Sequence, residues 1–154
     1  MSPEMNDEQK QRVRSTFAKV ERIPEIVGLV FYRRLFELDP SLRRLFRHDI
    51  QEQSRKLVST LKMAIDGLEQ PKEIQAALQA LGRRHIQYGV KQEHYDTVGA
   101  ALLWALEYAL GPEFDSSVRA SWLELYTWVA NTMKEAAIAA EKSFDTTRFV
   151  ASSP

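Results

Sequence analysis

The stretch LQALGRRHIQYGV, residues 78–90, decides how the rest of the chain is interpreted. Read at helical spacing, it continues a stripe of residues that follow one another by three or four positions: Ile74, Leu78, Leu81 and His85. A histidine therefore ends an otherwise apolar helix face. Gly89 is expected to stop the helix one turn later, since glycine is the commonest residue just beyond a helix end.

Two interpretations of this histidine are open from the stripe alone. An ordinary core or surface histidine is the commoner environment. The alternative is a metal ligand, because neutral imidazole binds iron well and an apolar wall suits a haem plane lying against it. The choice depends on whether the rest of the chain builds the other side of a pocket.

The composition is that of one soluble globular domain. The 154 residues are enough to bury a substantial core, and 44% of them are hydrophobic and 27% charged. The 21 Lys and Arg balance the 21 Asp and Glu, so no basic excess points to nucleic acid or an anionic membrane as a partner. The absence of cysteine excludes disulfides, thiol nucleophiles and thiolate metal sites.

Targeting signals are absent from the sequence. Residues 1–7 lack a basic start followed by an apolar run, so no export signal is predicted. No apolar run approaches the roughly 18 residues that a membrane helix needs. A cytoplasmic protein without a membrane or nucleic-acid partner is the expectation.

Helical periodicity runs through the chain, whereas the alternating runs typical of strands are nearly absent. Caps and breakers predict six long helices and one short helix, hence an all-α domain. Pro24 suits the first turn of the second helix, and Asp39-Pro40 ends it. The predicted helices begin near residues 7, 24, 41, 51, 72, 94 and 116.

The chain is predicted to be one domain over residues 1–142, followed by a polar tail over 143–154 that frays. The last helix is expected to fade by Ala140. Phe144 and Phe149 are the two tail residues able to fold back onto the domain.

Gly28 lies one turn before Tyr32 on the same face of the second helix. A glycine inside a helix costs about 0.5–1 kcal/mol relative to alanine. Another helix crossing close to Gly28 would account for it.

Common enzyme motifs are missing. The three histidines, His48, His85 and His94, do not pair with other ligands at zinc-site spacing. There is no nucleophile elbow around a serine and no glycine-rich loop for phosphate, which excludes hydrolase and kinase chemistry of those types.

A wider set of residues covers most of the chain, from about residue 6 to residue 140. Its members are Phe31, Tyr32, Phe36, Pro40, Phe46, Gln53, Leu57, His85, Tyr95, Trp122 and Tyr126. A proline followed six residues later by phenylalanine, with a histidine further on, resembles the globin family. The combination of Tyr32, Gln53 and Leu57 is similar to that of single-domain bacterial globins related to flavohaemoglobins.

The resemblance implies the globin fold, a three-over-three helical sandwich enclosing one haem b (iron protoporphyrin IX). His85 would be the proximal iron ligand, and its other ring nitrogen should donate to the carbonyl of Leu81. Tyr32 and Gln53 would donate hydrogen bonds to a bound gas on the distal side, beside Leu57.

The remaining implied contacts are less specific. Phe46 would lie against the haem face, although a plain core aromatic is its alternative, as it is for Tyr32. Lys56 and Arg84 would pair with the haem propionates or would simply be solvated surface charges. The full set implied to contact the haem is Tyr32, Phe46, Gln53, Lys56, Leu57, Leu81, Arg84, His85, Tyr88, Val90, Tyr95, Val98 and Tyr126.

The sequence departs from flavohaemoglobins in two respects. Those proteins continue into flavin and nicotinamide domains, whereas this sequence ends at Pro154, so a separate reductase is expected. In that family a glutamate on the last helix supports the proximal histidine together with the tyrosine that matches Tyr95. Ala137 occupies the matching position here, and Glu135, about 200° around the helix, should point elsewhere.

The resemblance implies a haem protein that reversibly binds O₂ and other diatomic gases such as NO and CO, as in oxygen binding or transport. Oxidation of nitric oxide to nitrate is a further implied activity if a separate reductase re-reduces the iron. The alternative is a globin-fold gas sensor or interaction module that acts through a partner protein.

Overall fold

The chain folds as a set of helices, and no strand occurs within the described ranges. The computed structural model describes residues 5–46 and 49–152, with side chains described as far as residue 142. The α-helices are α1 (Asp7–Val20), α2 (Pro24–Leu38), α3 (Ile50–Asp66), α4 (Pro71–Gln87), α5 (His94–Leu110) and α6 (Ser116–Ser152). Short 3₁₀ helices span Pro40–Leu45, Gly67–Glu69 and Gly111–Glu113.

Side-chain caps define the starts of three helices. Asn6 accepts from the backbone N–H of Gln9, and the Gln9 side chain accepts from the N–H of Asn6, which is a capping box. Asp49 accepts from the N–H of Gln51 at the start of α3. Asp115 accepts from the N–H of Val118 at the start of α6.

The helices pack in crossing layers around one apolar core. Helix α2 packs against α3 and α5, α4 packs against α6, and α1 lies across α5 and α6. Trp122 is 1% exposed at the centre, and its indole N–H donates to the hydroxyl of Thr16 at 2.9 Å. The other largest fully buried apolar side chains are Leu35, Leu42, Leu78, Leu106 and Leu125.

Helices α2 and α3 cross closely at Gly28, as a glycine inside a helix predicted. A methyl group at Gly28 would lie 1.9 Å from Oγ of Ser54, which is fully buried against it. No side chain larger than hydrogen fits there, which confirms the packing explanation for this helical glycine.

Helix α4 approaches α6 equally closely at Gly82. A methyl group at Gly82 would lie 2.4 Å from the carbonyl oxygen of Met133, which is backbone and cannot swing aside. Because Gly82 lies one turn before His85, this contact sets the position of the helix that carries His85.

The predicted helix starts are largely confirmed, but the end of the last helix is not. Helix α6 continues to Ser152, so the expectation that it fades by Ala140 was wrong. The described residues also form three short 3₁₀ helices, whereas one short helix was predicted. The division of the chain at residue 142 stays a prediction, and His48 lies outside the described residues.

Within the described ranges, every helix is too short or too polar to cross a lipid bilayer.

Candidate functional site

Helices α3 and α4 do not pack closely on each other, although α3 packs on α2 and α4 packs on α6. Apolar side chains on both stay only half-buried, among them Leu57 and Leu61 of α3 and Leu81 of α4. Apolar side chains left partly exposed between separated helices are typical of a site that a flat apolar group covers.

His85 ends the apolar stripe of α4, as the sequence predicted. Its Nδ1 lies 2.9 Å from the carbonyl oxygen of Leu81, and since a carbonyl only accepts, Nδ1 carries the proton. Nε2 makes no hydrogen bond to a described residue. Among the described residues, every fully buried side-chain nitrogen or oxygen has a hydrogen-bond partner, so Nε2 is not fully buried. Nε2 therefore faces open space with its lone pair available to a metal.

The environment of His85 favours the neutral imidazole. Burial lowers the pKa of His85, the bond to Leu81 opposes that shift, and the positive charge of Arg84 lowers the pKa further. Neutral imidazole is the form that binds a metal.

The end of α4 is built around a glycine turn. Gly89 has φ of +88°, the left-handed conformation that disfavours other residues. This turn lets the N–H of Val90 donate to the carbonyl of His85 at 3.0 Å. Val90 is half-buried beside the core, whereas Tyr88 is 62% exposed.

An aromatic cluster forms the α2 side of the site. Tyr32, 5% exposed, meets the edge of Phe46 at 5.2 Å between ring centres and the edge of Phe31 at 4.8 Å. Phe36 lies 6.0 Å from Phe46 and 6.1 Å from Tyr32. These contacts hold the Tyr32 ring while its hydroxyl lies toward α3.

The hydroxyl of Tyr32 donates to the backbone carbonyl of Gln53 at 3.4 Å, near the outer limit for a hydrogen bond. Burial raises the pKa of Tyr32 to about 12, so the phenol stays a neutral donor at physiological pH. The Gln53 side chain is half-buried and bonds to no described residue. The hydroxyl of Tyr32 thus lies beside the backbone of α3 at Gln53.

Helices α5 and α6 contribute a second pair of tyrosines. The hydroxyl of Tyr126 donates to the carbonyl of Tyr95 at 2.5 Å, and burial raises the pKa of both phenols. Val98, one turn after Tyr95, is half-buried. Gly99 makes room for the ring, since a methyl group there would lie 2.7 Å from Cε2 of Tyr126.

Ala137 of α6 stands where the resemblance to flavohaemoglobins places a glutamate. Ala137 is 3% exposed and Glu135 is exposed on the other side of the helix, as the sequence predicted. The ammonium of Lys134 lies 5.7 Å from the centre of the Tyr95 ring and 3.8 Å from the carboxylate of Asp96. Among the α6 residues whose side chains are described, none places a carboxylate beside His85.

The two basic residues implied for the propionates are exposed. Lys56 pairs with Glu52 at 3.5 Å on the surface of α3, and Arg84 forms no ion pair with a described residue. Pairing of these two side chains with the haem propionates stays a prediction.

Sequence reasoning missed two contributors to the site, whereas Phe36 of the aromatic cluster belonged to the sequence pattern. Ser54 is buried against Gly28 and fixes the separation of α2 and α3, and Asp49 caps α3. Of these, only Asp49 had a readable signal, because aspartate directly before an amphipathic run is a common helix cap.

The comparisons with known proteins identify the family. Residues 29–133, the greater part of the chain, match the family model described as Globin. The chain is a globin. Members of this family bind haem and, through it, small gaseous ligands.

Characterised relatives of this globin include neuroglobins of fishes. Neuroglobin of Danio rerio is 28% identical over 143 residues, which cover 84% of this chain and 90% of that protein. Neuroglobin of Tetraodon nigroviridis is 27% identical over 143 residues, which again cover 84% of this chain and 90% of that protein.

Solved structures agree on the globin fold. An engineered carbene transferase, described as a putative nitric oxide dioxygenase from Rhodothermus marinus, superposes with a TM-score of 0.82 at 25% identity. That superposition covers 92% of this chain and 99% of the other. A bacterial globin from Campylobacter jejuni superposes with a TM-score of 0.76 at 24% identity, covering 91% and 99%.

The residues present fit a haem. The separated helices α3 and α4 offer apolar walls, and His85 offers one unpartnered imidazole nitrogen. No group of three or more acidic or histidine side chains that could hold a metal ion by themselves occurs among the described residues. A macrocycle that brings its own four nitrogen ligands would need only one further ligand, and the imidazole of His85 could supply it.

Proposed function

We propose that this globin binds haem b with His85 as the axial ligand and holds a diatomic gas near Tyr32 and Gln53. The observation that carries the proposal is the state of His85, whose Nδ1 bond to Leu81 leaves Nε2 unpartnered and facing open space. The iron supplies the reversible bond to the gas, and the remaining work falls to the protein.

The protein controls the gas through donors and packing. The hydroxyl of Tyr32 can exchange its long bond to the Gln53 carbonyl for a shorter one to a gas that carries partial negative charge. The Gln53 amide supplies a second donor, and Leu57 limits the space beside it. Phe46 lies at one side of the site and, with Phe36, keeps the Tyr32 ring in place.

Lys56 and Arg84 are proposed to pair with the propionates, and Leu81, Tyr88, Val90, Val98, Tyr95 and Tyr126 to pack around the haem. The tyrosine and glutamine pair supports a relation to single-domain bacterial globins of the flavohaemoglobin type. A cytoplasmic location accompanies this proposal.

More specifically, we propose that this globin carries out nitric oxide dioxygenation and that a separate reductase supplies the electron. In that reaction NO, O₂ and one electron give nitrate, so each turnover consumes one electron. The similarity to the putative nitric oxide dioxygenase from Rhodothermus marinus favours it. The buried Ala137, where a supporting glutamate would stand, predicts slow turnover.

Absorption spectra test the proposal directly. Purified protein reconstituted with haem should give ferric, ferrous and ferrous-CO spectra of a histidine-ligated haem, with one haem per chain. Failure to take up haem would refute gas binding. NO consumption by the reduced, oxygenated protein, with nitrate as product, tests the finer activity separately.

A further inference from the structure

Charge is unevenly distributed in this neutral chain. Residues 41–56 and 83–91 contain eight basic residues and two acidic ones, Asp49 and Glu52, whereas acidic residues outnumber basic ones in the rest of the chain. The basic residues are Arg43, Arg44, Arg47, Arg55, Lys56, Arg83, Arg84 and Lys91. The described residues of both segments border the candidate site, whereas Arg47 lies outside the described residues.

Four of these residues define a surface that we name the basic rim: Arg43, Lys56, Arg84 and Lys91. They come from the 3₁₀ helix Pro40–Leu45, from α3, from α4 and from the loop after α4, and all four are exposed. Lys56, Arg84 and Lys91 are sequence neighbours of the site residues Leu57, His85 and Val90. The guanidinium of Arg43 lies 5.3 Å from the ring centre of Phe36.

The loop after α4 and the 3₁₀ helix form a continuous edge of the site. A methyl group at Gly89 would lie 3.5 Å from Cδ2 of Leu45, so the Leu45 side chain packs beside the turn at Gly89. The N–H of Lys91 donates to Nδ1 of His94 at 2.9 Å, which fixes the loop on the start of α5. Positive charge from both sides of this edge therefore adds at one surface.

Three of the four acidic residues near the rim already have hydrogen-bond or ion-pair partners. Glu52 pairs with Lys56, Asp49 caps α3, and Asp39 at the border accepts from the hydroxyl of Ser41 at 2.6 Å. Glu93 also borders the rim and is exposed. Lys91, like Arg84, forms no ion pair with any described residue. Even two propionates paired with Lys56 and Arg84 would leave Arg43 and Lys91 available.

We propose that the basic rim is the docking surface for an acidic one-electron donor protein. The inference rests on the proposed function, since a ferric haem must be reduced before it can bind O₂. One electron passes from the donor to the iron, which goes from ferric to ferrous while the donor is oxidised by one electron; no proton or bond is transferred. Exposed Tyr88, between Arg84 and Lys91, adds an aromatic contact of the kind that interfaces favour.

Complementary charge acts mainly on the rate of encounter and is screened by salt over a Debye length of about 10 Å at 0.1 M. The probe is reduced flavodoxin, a small flavoprotein with an acidic surface. Its reduction of the haem-reconstituted ferric globin is followed by stopped flow under CO, which traps the ferrous form. In a separate experiment, oxidised flavodoxin is titrated into the ferric globin and binding is measured by calorimetry.

The test variant is Arg43→Glu/Lys91→Glu, and the matched control is Lys72→Glu/Arg119→Glu, which reverses two exposed charges outside both basic segments. We expect the rim variant to slow reduction at low salt about tenfold or more, within the range of electrostatic steering. The control should stay within about twofold of the parent, and high salt should remove the differences. Binding of oxidised flavodoxin should weaken in the rim variant only.

Several outcomes would overturn the inference. Equal slowing in the two variants would mean that only net charge matters, and no slowing would mean that the rim is not used. Binding of the parent to phosphatidylserine vesicles, lost in the rim variant while flavodoxin reduction is unaffected, would assign the rim to a membrane surface. Normal CO spectra in all variants separate these outcomes from failure of haem binding, which would refute the proposed function instead.

Discussion

The hydroxyl of Tyr32 donates to the main-chain carbonyl of Gln53, at 3.4 Å, and not to the Gln53 side chain. So long a bond is weak, and the hydroxyl can leave it without a large loss of free energy. The bond also keeps the buried phenol satisfied while the site holds no gas. This supports the proposal that Tyr32 exchanges the bond to α3 for one to a bound gas.

Replacing Tyr32 with Phe should accelerate O₂ dissociation, because one donor to the gas is lost while the ring volume is kept. At about 1–3 kcal/mol for that bond, the increase should be roughly five- to 150-fold. CO, which carries less charge on its outer atom, should respond less. Stopped-flow kinetics of both gases measure the effect.

Tyr108→Phe is the matched control, since it removes a hydroxyl from a tyrosine that is 66% exposed on α5. Its O₂ dissociation rate should equal that of the parent. An unchanged rate in Tyr32→Phe would mean that this hydroxyl does not reach the gas.

Replacing His85 with Gly should abolish tight haem binding, because the imidazole with the unpartnered Nε2 is removed. Added imidazole should enter the vacated space and restore a histidine-like spectrum. Glycine costs about 1 kcal/mol in a helix, so the variant should still fold. Haem titrations with and without imidazole, alongside circular dichroism, check both points.

A normal histidine-ligated spectrum in His85→Gly without imidazole would mean that another residue is the iron ligand. Haem binding that is lost and not rescued, in a folded variant, would argue against His85 as the axial ligand.

Alkaline titration should reveal the burial of the Tyr32 phenol. Its pKa is raised to about 12 by burial, whereas an unfolded tyrosine titrates near pH 10. The neutral phenol is favoured in the fold, so its contribution to stability is complete below about pH 10 and is lost as the pH rises through about 12.

Unfolding free energy measured between about pH 9 and pH 12 should therefore fall less steeply in Tyr32→Phe than in the parent. Parallel curves for parent and Tyr32→Phe would mean that Tyr32 titrates normally.

Gly82→Ala should destabilise the protein, since the added methyl group meets the backbone of Met133 and helices α4 and α6 must separate. Such overpacking costs about 1–3 kcal/mol. At about 2–4 °C per kcal/mol in a chain of this length, Tm should fall by roughly 2–12 °C. Arg83→Ala, an exposed change at the next position, should leave Tm nearly unchanged. Equal Tm values for the two variants would contradict the close approach.

Local features of this globin followed from the sequence because they depend on neighbouring residues. Helix starts come from caps such as Asn6, and the bond between His85 and Leu81 follows from their spacing of one helical turn. The outward direction of Glu135, relative to buried Ala137, follows from helical periodicity in the same way. The end of α6 could not be predicted, since a run of alanines allows a helix to continue without requiring it.

Contacts between helices were decided only in the tertiary structure. Gly28 indicated that some helix would cross, but not that Ser54 would be the side chain against it, and nothing local to Gly82 pointed to Met133. The separation of α3 from α4 is also a tertiary property, because each packs more closely on another helix. The periodicity of a helix specifies which face is apolar, whereas the partner of that face depends on how all six helices share one core.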